Sequence, residues 1–232
     1  MNRPLSWFCK IFLKPAVDKF LIKEVKGLEN LPKENFILAA NHQSHLDQLM
    51  TGYVCVPRRF HMIGQTDEYH GFAKILLELI YFIAGVIPVN RNDEKSRKRA
   101  IKEAIKVLKK KDILIIYPEG TRTRTGEIQN GYPGVAKIFL EIETPILPVG
   151  IKGTFELMPP GKRFPGIKRI VKINIGKPLY FKEEVEIAKN FGYYSIEYKA
   201  ILQKIIARVM KEIKSCQEII EEIVKYIMQI YK

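Results

Sequence analysis

Short apolar runs separated by longer stretches of helical periodicity constrain this chain more than any other feature. Phe36-Ile-Leu-Ala-Ala, Phe60-His-Met-Ile, Val86-Ile-Pro-Val, Ile113-Leu-Ile-Ile-Tyr, Ile146-Leu-Pro-Val-Gly-Ile and Val171-Lys-Ile-Asn-Ile are all of strand length. Strands with so few polar positions are buried on both faces, and helices between them supply the cover. The expected fold class is therefore α/β, with a largely parallel central sheet covered by helices. Intervening helices are expected from about His45, over 72–84, over 93–110 and near 133–142. The third carries the clearest stripe: Ala100, Ile101, Ala104, Ile105 and Leu108 recur at helical spacing in a Lys/Arg-rich background.

Both ends add helix. Residues 5–22 place Trp7, Phe8, Ile11, Phe12 and Phe20 at roughly helical spacing with Lys10, Lys14 and Lys19 between them. Pro15 removes a backbone donor there and favours a kink. A second helical pattern runs from about Ser195 to Tyr231. There is no internal repeat and no low-complexity linker. The organisation expected is an amphipathic docking helix at 1–22, one α/β domain at 23–185 and a helical extension at 186–232.

Charge narrows the partners. Lys plus Arg number 39 against 25 Asp plus Glu, a net charge of +14. That excess suits an anionic partner: a lipid surface, a phosphorylated substrate or nucleic acid. Solubility alone needs only ~2–8 charges in a small domain. Cys9, Cys55 and Cys216 are odd in number and far apart, which fits neither a disulfide framework nor a metal site. The longest apolar run, Ile75 to Val89, contains Glu78, Gly85 and Pro88 and falls short of the ~20 residues of a membrane span. The N-terminus lacks the uninterrupted apolar region and cleavage site of a signal peptide.

Chemistry concentrates in two segments that follow buried strands. In Asn41-His-Gln-Ser-His-Leu-Asp47 the His and Asp are five residues apart, roughly 140° on a regular helix. They can pair only if His42 lies in the turn before a helix and Asp47 in its first turns. Asn41 and Ser44 suit such a turn and N-cap. A carboxylate holding the Nδ1 proton leaves Nε2 free as a base for a hydroxyl. Two other readings remain open at this level: a metal site of His42, His45 and Asp47, or plain turn and capping residues. The second segment, Tyr117-Pro-Glu-Gly-Thr-Arg-Thr, also follows a buried strand, at a sheet edge where α/β folds bind ligands. Gly120 allows close backbone approach, Thr121 offers a hydroxyl, and Arg122 offers a planar fork suited to phosphate. Glu119 could orient that Arg or the backbone around it. Gly85-Val-Ile-Pro-Val-Asn-Arg91 and Leu147-Pro-Val-Gly-Ile-Lys-Gly end two further runs.

In this order the four segments resemble the four sequence blocks of the glycerolipid acyltransferase family, of the 1-acylglycerol-3-phosphate acyltransferase type. The pattern N-H-x-S-x-x-D is met by Asn41, His42, Ser44 and Asp47, and G-x-x-x-x-x-R by Gly85 and Arg91. F-P-E-G-T-R-S appears as Tyr117 to Thr123, and the final block as Pro148 between apolar residues. The resemblance covers about residues 25–180. The chain departs from it at Gly64-Gln-Thr-Asp-Glu-Tyr and at Asn130-Gly-Tyr-Pro-Gly134, where a lysine is common, and both departures bear on the acceptor and donor.

The resemblance implies that His42 is the general base and Asp47 its orienting partner. It makes Arg91, Glu119, Gly120 and Arg122 residues that shape a phosphate site, with Asn41, Ser44 and Thr121 as further candidate substrate-binding residues. The implied reaction moves a fatty acyl group from acyl-CoA or acyl-carrier-protein to the sn-2 hydroxyl of lysophosphatidic acid. An acyltransferase for another acceptor, such as another lysophospholipid, glycerol 3-phosphate or an amino-acid lipid, stays open from sequence. A thiolate leaves readily, so neither metal nor cofactor is expected. The expected location is peripheral, on the cytoplasmic face of the membrane and against anionic lipid. The N-terminal helix and the ten Lys/Arg against three acids between Arg91 and Lys111 suit such a surface. A non-enzymatic binder of lipid or nucleic acid would match the charge but leave the His–Asp and Pro-Glu-Gly-Thr-Arg segments without a purpose, and no nucleic-acid partner is expected.

Overall fold

The computed structural model describes residues 3–66, 81 and 84–230, and the surroundings of side chains from 5 to 219 within them. Its first helical segment runs from Arg3 to Phe20 as α1 (Arg3–Phe8), a π-helical turn (Cys9–Leu13) and α2 (Lys14–Phe20). The wide turn sits immediately before Pro15, whose ring would clash with the carbonyl four residues back in a regular helix. The helix expected to reach residue 22 stops at Phe20. Ile22 instead opens β1 (Ile22–Lys26), a strand absent from the sequence expectation. Its Ile-Lys-Glu-Val-Lys pattern buries only Ile22, so it carries little of the apolar signal that marks the other strands.

The remaining strands are β2 (Ile37–Ala40), β3 (Phe60–Gln65), β4 (Val86–Val89), β5 (Ile113–Ile116), β6 (Ile146–Lys152) and β7 (Val171–Ile175). They pair in the order β1-β7-β6-β2-β5-β3-β4. β2 through β6 are mutually parallel, and β7 lies antiparallel to β6 and parallel to β1. The ends of β2 to β6 and the starts of β1 and β7 therefore share one edge of the sheet. Ligand sites of open parallel sheets form at that edge.

Alternation along the strands divides the core. Ile37, Ala39, Leu114, Ile116 and Ile146 face one apolar cluster; Leu38, Ala40, Ile113, Ile115 and Leu147 face the other. The second face is covered by α3 (Leu46–Cys55), with Val17 of the N-terminal segment in the same cluster. The first is covered by α4 (Glu94–Lys109), α5 (Gly134–Ile142), α7 (Lys182–Ala188) and α8 (Ile196–Ile230); a single-turn α6 (Thr154–Leu157) follows β6. In α4 the expected stripe buries Ala100, Ala104 and Leu108, and Asp93 caps the helix by accepting from the N–H groups of Lys95 and Ser96. The helix expected over 72–84 falls outside the described residues except at Tyr81 and Ala84, which are helical.

The long C-terminal helix packs on the sheet. Ile205, Val209 and Ile213 are wholly or almost wholly buried, at ~1.5–3 kcal/mol for each such side chain. Gly150 of β6 lets the helix come close, since a Cβ there would lie 2.6 Å from the Gln217 nitrogen. The Asn174 amide closes the contact by donating to the Cys216 carbonyl at 3.0 Å. Among the described residues no helix is long and apolar enough to cross a membrane.

Candidate active site

His42 lies in the turn between β2 and α3, and Asp47 lies in the first turn of α3. That placement solves the five-residue spacing: Nδ1 of His42 is 2.9 Å from Oδ2 of Asp47. The same oxygen accepts the N–H groups of Gln43 at 2.6 Å and Ser44 at 2.7 Å. The other carboxylate oxygen accepts the Thr154 hydroxyl at 2.6 Å. Asp47 is completely buried. Four donors and a helix N-terminus surround it, an environment that suits a carboxylate. A carboxylate can only accept, so the shared proton sits on Nδ1 and Nε2 carries the free lone pair. Both Asp47 oxygens are thus engaged by protein donors, and His45 is not among them. Among the described residues no three His, Cys, Asp or Glu side chains converge as metal ligands.

The segment after β5 fixes His42 from the other side. Glu119 accepts the His42 N–H at 2.7 Å and the Gln129 N–H at 2.8 Å through its two oxygens. The Thr123 N–H donates to the His42 carbonyl at 2.9 Å. Glu119 therefore orients backbone, the second of the two options open from sequence. Burial pushes its carboxyl up to about 7, against the pull of those two N–H donors. The Tyr117 ring stacks on the imidazole with centroids 4.1 Å apart, and its hydroxyl pairs with Thr51 at 2.9 Å. Gly120 turns the chain with φ +67° beside the Tyr132 ring, a conformation that favours glycine.

A cavity of 190 Å³ opens at this edge, and His42, Arg91, Gly120 and Arg122 all line it. Arg91 is held by donation to the Gly120 carbonyl at 2.9 Å. Asn41, Ser44 and Glu119, named as candidate substrate contacts, do not line the cavity and are buried behind it. The Asn41 amide pairs with Ile151 in both directions, donating to its carbonyl at 2.9 Å and accepting its N–H at 2.7 Å. Ser44 donates to the Met158 carbonyl at 2.7 Å. Thr121 is exposed and also lies outside the lining.

The model of the acyltransferase family matches residues 23–152, more than half the chain, a span that includes His42, Asp47, Arg91, Arg122 and Pro148. The chain belongs to the acyltransferase family. Among relatives, a chloroplast 1-acyl-sn-glycerol-3-phosphate acyltransferase of Brassica napus is 26% identical over 75% of this chain and 50% of its own. The enzyme of that name from Borreliella burgdorferi is 29% identical over 82% of this chain and 72% of its own. The one from Bacillus subtilis is 27% identical, over 75% and 81%. The chain thus spans about half the length of the plant relative and most of the bacterial ones. The crystal structure of the 1-acyl-sn-glycerophosphate acyltransferase of Thermotoga maritima superposes with a TM-score of 0.58 at 24% identity, covering 91% of this chain and 88% of that one. At that identity the likeness bears on the fold.

Within this acyltransferase fold, Thr154 is the supporting residue that sequence reading missed. It lies 107 residues from Asp47 and carries no motif, and only the closeness of the ends of β2 and β6 brings the two together. Thr154→Val keeps the shape and deletes the donor, leaving one Asp47 oxygen buried and unpaired. Stability is expected to fall by ~1.5–3 kcal/mol, the range for a hydrogen bond to a charge, while Thr154→Ser stays near wild type. Chemical denaturation of the three proteins measures this, and equal midpoints for Val and wild type would show the bond to be worth nothing.

Proposed function

We propose that this chain transfers a fatty acyl group from an acyl-CoA or acyl-carrier-protein thioester to the sn-2 hydroxyl of 1-acyl-glycerol-3-phosphate. The observation that carries the reading is that His42, paired with Asp47, lines the same cavity as Arg91 and Arg122. Among the described residues Arg122 forms no hydrogen bond or ion pair, so its fork is available to a phosphate. A phosphate held there brings the neighbouring hydroxyl to His42. Nε2 takes the hydroxyl proton as the oxygen attacks the thioester carbonyl. The tetrahedral intermediate then expels the thiolate, which receives that proton from the imidazolium, giving ester and free thiol. Asp47 balances the imidazolium charge while it exists. Positioning of this kind can lower a barrier by several kcal/mol.

Arg122→Lys tests the phosphate contact. A lysine keeps the charge but not the two parallel donors, so use of lysophosphatidic acid is expected to drop about tenfold, mainly in KM. An acceptor with the same acyl glycerol but no phosphate should respond little. Equal losses on both acceptors would remove Arg122 from the phosphate site.

The acceptor resides in a bilayer, and the N-terminal segment suits binding to an anionic one from the cytoplasmic face. Trp7, Phe8, Ile11, Phe12 and Phe20 are each at least half exposed, while Ser6 and Val17 of the same segment are buried. Lys10 and Lys19 lie over the Trp7 and Phe20 rings, at 4.7 and 5.5 Å. Such a segment has one face in the protein and an aromatic, cationic face for the headgroup layer. Phe8→Ser with Phe12→Ser should leave the melting temperature within a few degrees and weaken sedimentation with phosphatidylglycerol vesicles several-fold. A large fall in melting temperature with vesicle binding unchanged would assign that face to the fold.

A further inference from the structure

The connection from α6 to β7 carries two apolar side chains that no part of the described fold covers. Phe164 is 69% exposed and Ile167 is 78% exposed. Lys162, Arg163, Lys168 and Arg169 surround them, and no Asp or Glu occurs between Glu156 and Glu183. Among the described residues none of these four cations forms an ion pair. Apolar tips flanked by uncompensated positive charge are matched to an anionic lipid surface, which takes up both at once.

Its footing makes this connection a built element. The Gly166 N–H donates to the Leu157 carbonyl at 2.8 Å, and the Lys162 ammonium donates to the same oxygen at 3.0 Å. Leu157, Met158 and Ile170 at its two ends pack in the apolar cluster that also holds Val17. The Arg169 Nε donates to the Ile22 carbonyl at 2.6 Å, two residues beyond the half-exposed Phe20. Strand direction sets the rest. The connection runs from the end of β6 to the start of β7, on the edge that carries His42, and the Met158 carbonyl accepts the Ser44 hydroxyl.

We propose that residues 159–169 form a second membrane-docking element, in which Phe164 and Ile167 enter the headgroup layer of an anionic bilayer beside the catalytic edge. The inference builds on the reading of a bilayer-resident acceptor and extends the docking surface from the N-terminal segment to the cavity side of the sheet. Two anchors at separate points would fix the tilt of the sheet over the lipid. One helix leaves that tilt free.

Full-length protein carrying Phe164→Ser and Ile167→Ser tests it by sedimentation with vesicles of phosphatidylcholine containing phosphatidylglycerol, and with phosphatidylcholine alone. At least tenfold weaker partition to the anionic vesicles is expected, with the melting temperature unchanged because neither side chain is packed. Depth is read separately by Phe164→Trp in a Trp7→Phe background, since Trp7 is the single tryptophan of the chain. Anionic vesicles with brominated acyl chains should shift its emission to the blue and quench it. An unshifted, unquenched tryptophan on protein that sediments with the vesicles would overturn the proposal. So would concentration-dependent self-association of wild type that the double serine variant abolishes, since the face would then pair with a second copy. Neither residue lines the cavity, so thiol release with a short-chain, water-soluble lysophosphatidic acid should match wild type. Absence of thiol release from wild type as well would count against the proposed reaction and leave the vesicle result standing.

Discussion

His42→Ala is expected to lower acyl-transfer turnover ~10²–10⁴-fold, the range for loss of a positioned general base. The variant should fold. The backbone bonds from His42 to Glu119 and Thr123 do not involve its side chain. What disappears is the stack on Tyr117, at about 0.5–1.5 kcal/mol, and one of the four donors to Asp47, at about 1.5–3 kcal/mol. The melting temperature should therefore fall while the fold persists. The second histidine on the cavity, His45, does not share the Asp47 carboxylate, so it is not expected to rescue the activity. The measurement is thiol release with lysophosphatidic acid alongside a melting curve. A variant retaining more than a tenth of wild-type turnover would end the assignment of His42 as base.

Asp47 allows a finer separation, because its carboxylate does two things that different substitutions divide. In Asp47→Asn the N–H groups of Gln43 and Ser44 hold the amide oxygen on the His42 side, and the amide nitrogen then faces the Thr154 hydroxyl, which can accept. Fold and tautomer are thus preserved, and only the counter-charge for the imidazolium is lost. The expected cost is about 10²-fold in kcat, or about 2.7 kcal/mol of the barrier, with KM nearly unchanged. Asp47→Ala also strands two buried N–H groups and a hydroxyl. It should fall further in rate and lose about 3 kcal/mol or more of stability. Steady-state kinetics with denaturation of both variants separates these outcomes. An Asn variant within threefold of wild type would show that the charge contributes little, whereas one as inactive as His42→Ala would show that orientation was lost despite the two N–H groups.

The N-terminal segment marks a boundary between local and tertiary information. Its periodicity is legible and its helix is there, yet the pattern gave no indication that Ser6 would donate to the Pro57 carbonyl at 2.8 Å or that the helix would stop before Ile22. The same residues that read as one amphipathic face divide into a packed side and an exposed side only when α3 and the start of β3 are beside them.

By itself, the sequence determined those features that rest on interactions along the chain. Unbroken apolar runs such as Ile113 to Ile116 require cover on both faces, which fixes a layered α/β architecture whatever the order of the strands. The five-residue interval from His42 to Asp47 requires a turn followed by a helix, because no regular element brings the two side chains together. Tertiary structure decided everything that depends on which strand ends become neighbours. β1 exists because β7 offers it a parallel edge, since Lys23, Glu24 and Lys26 make its own composition mostly polar. Asn41, Ser44 and Glu119 became supports of the site once Ile151, Met158 and Gln129 supplied backbone partners, and Arg91 and Arg122 became its lining. Thr154 joined the dyad across 107 residues for the same reason: a hydrogen bond depends on distance in space, and pairing of β2 with β6 sets that distance.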